Sequence, residues 1–240
     1  MRRFLAQTRH ELMLVVRNGE QLLLTLGIPL LLLVFFSLVD VLPTGTSTPV
    51  AFLAPGVLGL AVMSTSMVSL GIGTGFERSY KVLKRLGTTP LGRGRLVAAK
   101  AASVMVVEVV QFALLVGVAV ALGWEPPTGK WPLALGAVVC GTAAFAGIGL
   151  VLAGRLRGEI NLAAQNALYL VLLLLGGMVV PLDELPGPMA SAARALPSAA
   201  LSDVLHATLG DASLHGSSWP VLGGWALVAP LLAAWLFRWE

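Results

Sequence analysis

AFLAPGVLGLAVMSTSMVSLGIGTGFERSYKVLKRLGTTPLGRGR, residues 51–95, joins a long apolar run to the most cationic segment of the chain. The run, about 51–75, is long enough for the roughly 20 apolar residues that a membrane-spanning helix needs. The segment after it, 75–95, holds six cations and one acid, Glu77. Lys and Arg resist translocation and collect on the cytoplasmic side of a membrane. The stretch therefore predicts a transmembrane helix that ends in a cytoplasmic connection.

The remaining sequence extends this pattern over the whole chain. Its 240 residues are 57% hydrophobic and only 12% charged, with a mean hydropathy of +0.87, whereas about a quarter of residues are charged in soluble proteins. We expect one all-α integral membrane domain, 1–240, without an additional soluble domain. Six spans are predicted, at about 22–42, 51–75, 97–122, 132–153, 163–182 and 219–237.

The distribution of cations predicts the orientation. Fourteen of the sixteen Lys and Arg residues fall on one side of this arrangement, and only Lys130 and Arg194 fall on the other. Both termini are therefore expected in the cytoplasm. The first apolar run is too long for a signal peptide and is read as an uncleaved span. The Arg-, Ala- and Gly-rich composition is typical of a GC-rich bacterial genome, so we expect a multi-pass protein of the bacterial cytoplasmic membrane. In such a protein a net charge of +4 does not indicate a nucleic-acid partner.

Two segments outside the spans have apolar patterns of their own. Residues 1–21 place apolar side chains near helical spacing and predict an amphipathic elbow helix in the cytoplasmic headgroup layer, in contact with membrane lipid; a disordered basic tail is the alternative. The external loop, 183–218, holds two short apolar segments, 189–196 and 199–209, that are expected to re-enter the outer leaflet as half-helices.

The search for chemistry-bearing motifs finds none that predicts an enzyme. Residues 123–130, GWEPPTGK, resemble a phosphate-binding loop, but the glycine spacing is wrong and Trp131 stands where Ser or Thr would hold magnesium. His206 with Asp203, Asp211 and His215 lacks a closed ligand pattern and is read as a set of solvated turn residues. We therefore expect no catalytic, cofactor-binding or metal-binding residue.

Polar residues inside the predicted spans are the candidates for a solute path. Glu108 lies deep in the third span, and Gln111 follows it on the same face. Such residues either mark a functional pathway or form hydrogen bonds that hold neighbouring helices together. In the fifth span Asn161, Gln165 and Tyr169 recur at intervals of four, with Asn166 beside them. This stripe is either a seam between helices or part of a solute path.

The cationic segment after the second span is more organised than topology alone requires. As a helix it would place Phe76, Tyr80 and Leu83 on one face and Arg78, Lys81 and Arg85 on another. Glu77 would pair with Lys81 at i+4. Residues 87–90, Gly-Thr-Thr-Pro, are expected to end the helix.

At these residues the chain resembles the permease subunits of type-2 ABC exporters, the class that includes daunorubicin-resistance, polysaccharide and lipid exporters. Those subunits have an elbow helix, six spans and a Glu-Arg-x-x-x-x-x-Leu-Lys-x-Leu-x-x-x-Pro-Leu segment. The matching residues are Glu77, Arg78, Leu83, Lys84, Leu86, Pro90 and Leu91. A second similarity is Pro-Leu-Asp-Glu-Leu-Pro at 181–186.

The resemblance implies a cytoplasmic coupling helix, about 76–90, that docks into a separate cytosolic ABC ATPase dimer, which binds MgATP. The residues expected to couple to the ATPase are Glu77, Arg78, Tyr80, Lys81, Leu83, Lys84, Arg85 and Pro90. It also implies a second permease subunit, identical or different, paired through the first and fifth spans. The cargo would be an amphipathic, drug-like or lipid-linked solute, exported from the cytoplasm or the inner leaflet.

Two alternatives to this function remain open at this point. The chain would be a proton-coupled secondary transporter that uses Glu108, although the internal repeats and broken helices of such transporters are not evident. It would otherwise be a membrane assembly subunit without transport activity.

Overall fold

The structure, a computed structural model, describes residues 2–39, 49–87, 93–210 and 212–236. Within these residues every regular element is helical. The α-helices are α1 (Arg2–Arg17), α2 (Gly19–Leu38), α3 (Pro49–Met63), α4 (Leu70–Ser79), α5 (Val82–Gly87), α6 (Arg93–Ala121), α7 (Trp131–Arg155), α8 (Gly158–Leu175), α9 (Gly187–Ala193), α10 (Pro197–Leu209) and α11 (Ser218–Leu236). A π-helical segment, Ser64–Ser69, joins α3 to α4, and a 3-10 turn, Leu182–Glu184, precedes α9.

Among the residues that the structure describes, five helices are long and apolar enough to cross a membrane. They are Pro49–Ser79, Ala99–Ala121, Trp131–Arg155, Gly158–Leu175 and Ser218–Leu236. The first predicted span, 22–42, corresponds to α2, whose described apolar part, Thr25–Leu38, is shorter. The all-helical membrane architecture is therefore confirmed, whereas the count of six spans stays a prediction.

The fifth span overlaps its predicted position of 163–182 but is shifted towards the N-terminus. It begins at Gly158, after Arg157 in extended conformation, and ends at Leu175. Gly177 has φ of +64°, which residues with a Cβ rarely adopt. A hydropathy profile does not register this stop because the residues after it are also apolar, so the predicted C-terminal boundary was too late.

The second span, Pro49–Ser79, is the most buried of the five and forms the centre of the bundle. Leu53, Leu60 and Met63 are fully enclosed, and α3 packs against α2, α6, α7 and α10. The π-helical segment is covered by α7, where a Cβ added to Gly149 would strike the backbone of Met67. The cationic segment that follows this span is thus attached directly to the core helix.

Two ends of the bundle can be distinguished. One, here called the cationic end, consists of the end of α4, α5 and the turn between α7 and α8, where Arg78 bonds to the carbonyls of Ala153 and Leu156. The other, here called the α10 end, holds α9 and α10, and there Lys130 donates to the carbonyl of Ala207. Arg78 and Lys130, which the sequence assigns to opposite sides, therefore lie at opposite ends of the helices.

The two short apolar segments of the loop 183–218 are helical, as α9 and α10, and their entry into the outer leaflet stays a prediction. Most of α10 is buried, packed against α3, α7 and α11. His206 is buried, with its Nδ1 2.7 Å from the carbonyl of Ser202 and its Nε2 2.9 Å from that of Phe52. The expectation that His206 is a solvated turn residue is therefore wrong; Asp211 lies outside the described residues.

The predicted single helix over about 76–90 is also wrong within the described part of that range. Helix α4 ends at Ser79, and α5 begins at Val82. Lys81 between them has φ of 60°, the left-handed conformation, so the helical register is interrupted. The expected i to i+4 pair between Glu77 and Lys81 is lost with it. Pro90 lies outside the described residues.

Candidate functional site

The predicted coupling residues near the break at Lys81 divide into two sets. In the inward set the side chains contact the bundle, and in the outward set they are exposed. Leu83 is buried and anchors the short helix α5. Tyr80 is 71% exposed, and Lys81, Lys84 and Arg85 are exposed as well. The cationic end thus presents an aromatic ring beside three cations, a combination suited to contact with a protein surface.

Arg78 belongs to the inward set. Its Nη1 donates to the carbonyl oxygens of Ala153, at 3.3 Å, and Leu156, at 3.1 Å, where α7 ends. The last carbonyls of a helix lack partners within the helix and carry partial negative charge, so a guanidinium stabilises them. Nearby, the Ser79 hydroxyl accepts from the backbone N–H of Gly158 at 3.0 Å. The end of the second span is therefore fixed to the turn between α7 and α8.

Glu77 points instead towards α6 and α1. The Lys100 ammonium lies 2.8 Å from the Glu77 carboxylate and 3.0 Å from Oε2 of Glu11. Lys100 is 5% exposed and Glu11 7%. These three residues, here called the Lys100 triad, join α1, the end of the second span and the start of α6.

The sequence did not reveal the Lys100 triad. Lys100 was read only as one of the cations that mark the cytoplasmic side, and Glu11 only as part of an amphipathic helix. A lysine at the start of an apolar helix is a weak indication of a buried ion pair. It does not identify partners that lie far away along the chain.

Gln111 and Glu108 both lie on buried faces of α6, with different neighbours. The Gln111 amide accepts from the Thr65 hydroxyl at 2.8 Å and donates to the carbonyl of Thr25 at 2.7 Å, so it connects α6 to the π-helical segment and α2. Glu108 accepts a hydrogen bond from Thr142 on α7 at 2.8 Å. Its other oxygen, Oε1, is buried and finds no partner among the residues described.

Asn161 and Gln165 form a seam that joins α8 to the second span and to α7. The Asn161 amide donates to the carbonyl of Gly71, and the Gln165 amide donates to that of Gly149, both at 2.9 Å. Both side chains are fully buried. A Cβ at Gly71 would overlap the Gln165 amide. These contacts support the seam interpretation for these two residues.

The other two residues of the predicted stripe lie elsewhere. Asn166 is exposed on the outer surface of α8, and Tyr169 is partly buried beside the core. The six candidates for a solute path therefore do not line one channel within this chain. They form two separate hydrogen-bonded contacts on α6, one seam of two residues on α8, an exposed amide and a partly buried tyrosine.

Comparison with known proteins agrees with this architecture. The family model described as "ABC-2 type transporter" matches residues 2–209, which include α1, the cationic end and α10. Among curated proteins no relative matches the chain. Because the family model covers most of the chain, and the helices have the length and apolar composition of a multi-pass membrane protein, the chain belongs to the ABC-2 type transporter family as its membrane component.

Proposed function

We propose that the chain is the transmembrane subunit of an ATP-driven exporter, powered by a separate cytosolic ATPase dimer that binds MgATP. Membership of the ABC-2 type transporter family supports an ATPase partner of this general kind. The cargo is an amphipathic, drug-like or lipid-linked solute that leaves the cytoplasm or the inner leaflet of the bacterial cytoplasmic membrane. The cationic end and both termini face the cytosol in this proposal.

The observation that carries the proposal is the attachment of α5 to the core helix of the bundle. Leu83 is the buried anchor of α5, and Tyr80 and Lys81 are exposed beside it. A partner that binds the exposed face of α5 would move the end of the second span directly. Arg78 and the Lys100 triad would pass this movement to α7, α6 and α1.

A second permease subunit, a copy of this chain or a different one, completes the proposed exporter. The outer face of α8 exposes Leu170 and Leu174, and also Asn166. An amide that faces lipid inside a span is costly, and a neighbouring helix or a solute would satisfy it. We therefore place Asn166 and the partly buried Tyr169 near the interface of the two permeases.

The experiment uses the chain purified with the ATPase encoded beside its gene and reconstituted into proteoliposomes. We expect ATP-dependent transport, and we expect Tyr80→Ala and Arg85→Glu to reduce transport while the protein still inserts. Arg155→Glu is the matched control, because Arg155 is an exposed cation at the same end but outside α5. Failure of any ATPase to co-purify, or normal transport in both α5 variants, would overturn the proposal.

One observation favours a second candidate, a proton-coupled transporter. The buried, unpartnered Oε1 of Glu108 is the kind of carboxylate that such a mechanism uses. Transport driven by a proton gradient without any ATPase, and abolished by Glu108→Gln, would establish this function instead.

A further inference from the structure

A cavity of about 460 Å³ opens between α1, the second span and α6, beside the Lys100 triad. All three residues of the triad line it. Its position at the cationic end separates it from Glu108, which does not line it, and from the seam on α8. The predicted solute path does not account for a polar cavity at this place.

The charges buried at the cavity do not balance. Glu11 and Glu77 supply two carboxylates, whereas Lys100 supplies one ammonium, and the Glu77 side chain is only 20% exposed. Arg17 also lines the cavity, but it is exposed, so water and salt screen its charge. Among the described lining residues two carboxylates therefore face one buried ammonium. An uncompensated buried charge is costly, so the site favours a further cation.

The uncharged part of the lining adds a polar contact and an apolar wall. Thr74 is 2% exposed, and its hydroxyl finds no hydrogen-bond partner among the residues described. This oxygen is able to accept a hydrogen bond from a bound N–H group. Leu70, Val104 and Val107 line the same cavity and offer an apolar surface. The combination suits a molecule with one ammonium group and an apolar body.

We propose that this cavity binds organic cations, specifically amphiphiles that carry a protonated amine. The ammonium is bound by the carboxylates of Glu11 and Glu77 alongside Lys100 and donates to Thr74, and the apolar body lies against Leu70 and Val104. The identification of this molecule as cargo rests on the proposed export function. The binding itself does not, because it requires only the chain.

The test measures binding of tritium-labelled dodecylamine to the full chain in lipid nanodiscs at neutral pH. Dodecan-1-ol and dodecanoate serve as neutral and anionic competitors with the same apolar chain. We expect saturable binding that unlabelled dodecylamine displaces and that neither the alcohol nor the carboxylate displaces. Equal displacement by all three compounds, or no saturable binding, would overturn the proposal; this comparison needs no variant.

Variants then locate the site. Glu77→Gln and Glu11→Gln each leave Lys100 with one carboxylate and remove the excess negative charge, so we expect affinity at least about tenfold weaker. Thr74→Val should weaken binding by a smaller factor and keep its selectivity for the amine. Glu108→Gln is the matched control, a buried carboxylate on the same helix as Lys100 that lies outside the cavity. Wild-type affinity in both triad variants, or loss of binding in Glu108→Gln alone, would refute the site.

The outcomes separate this inference from the export function. If dodecylamine binds as expected but is not transported when the ATPase partner hydrolyses ATP, the binding site stands and its role as a cargo site fails. If ATP-driven transport of a neutral amphiphile is found and no amine binds, the export function stands and the proposed cation site is wrong.

Discussion

Lys100 in α6 lies 2.8 Å from the carboxylate of Glu77 at the end of the second span, and the same ammonium lies 3.0 Å from Glu11 in α1. One buried cation therefore holds three helices that are distant in the chain. Removing one member of a buried ion pair is far more costly than replacing all members, because the remaining charges stay buried without compensation.

The first prediction follows from this relationship. Lys100→Met leaves two carboxylates facing each other, and we expect the free energy of unfolding to fall by about 3 kcal/mol. The triple change Lys100→Met, Glu11→Gln and Glu77→Gln removes the charges together and should recover most of this loss. Thermal unfolding in nanodiscs measures both. A triple variant as unstable as the single one would show that packing of the lysine stem, and not charge, is responsible.

The second prediction concerns the seam between α4 and α8. A methyl group added at Gly71 overlaps the Gln165 amide, so Gly71→Ala should lower the free energy of unfolding by about 1–3 kcal/mol. Gly73 is the matched control, because nothing lies within 4 Å of a Cβ built there. Gly73→Ala should be neutral or stabilising, since Ala favours helices by about 1 kcal/mol over Gly. Equal losses in the two variants would contradict the seam.

These two sites also show where sequence reasoning stops. The apolar runs and the two short apolar segments of the loop 183–218 follow from hydropathy and proline positions, because these patterns depend on each segment's own preference for lipid or water. The polar stripe of Asn161 and Gln165 was located as well, since its spacing of four follows from helical geometry.

The sequence does not predict the hydrogen-bond partners of these polar residues. Asn161 and Gln165 bond to backbone carbonyls, which every residue possesses, so no side-chain pattern identifies Gly71 or Gly149 as the acceptor. The break at Lys81 was missed for a local reason, because no Gly or Pro stands there to indicate a left-handed residue. The hydrogen-bond partners of a polar side chain and the position of a left-handed residue depend on how the helices pack. A single sequence does not show this packing.

The third prediction tests the transfer of motion from α4 to α7. Arg78→Gln removes the guanidinium that binds the carbonyls of Ala153 and Leu156, so the α7 end loses charge-assisted hydrogen bonds. In the reconstituted exporter we expect ATP hydrolysis to continue while transport falls several-fold. Arg155→Gln, an exposed cation at the same end but outside α5, provides the comparison. If Arg78→Gln lowers hydrolysis and transport equally, Arg78 supports assembly with the ATPase and does not transmit motion.

The fourth prediction is a pH dependence of stability at His206 in α10, outside the spans. Burial holds the pKa of His206 below its ordinary value of 6.5, against opposing contributions from the Ser202 and Phe52 carbonyls and from Asp203. Because the unfolded chain then binds a proton that the folded chain lacks, stability is complete above about 6.5 and falls as the pH drops towards the lowered pKa. The slope is at most about 1.4 kcal/mol per pH unit. Thermal unfolding of His206→Gln should lose this slope, whereas His215→Gln, at an exposed site, should keep it. An unchanged slope in His206→Gln would assign the acid sensitivity to another group.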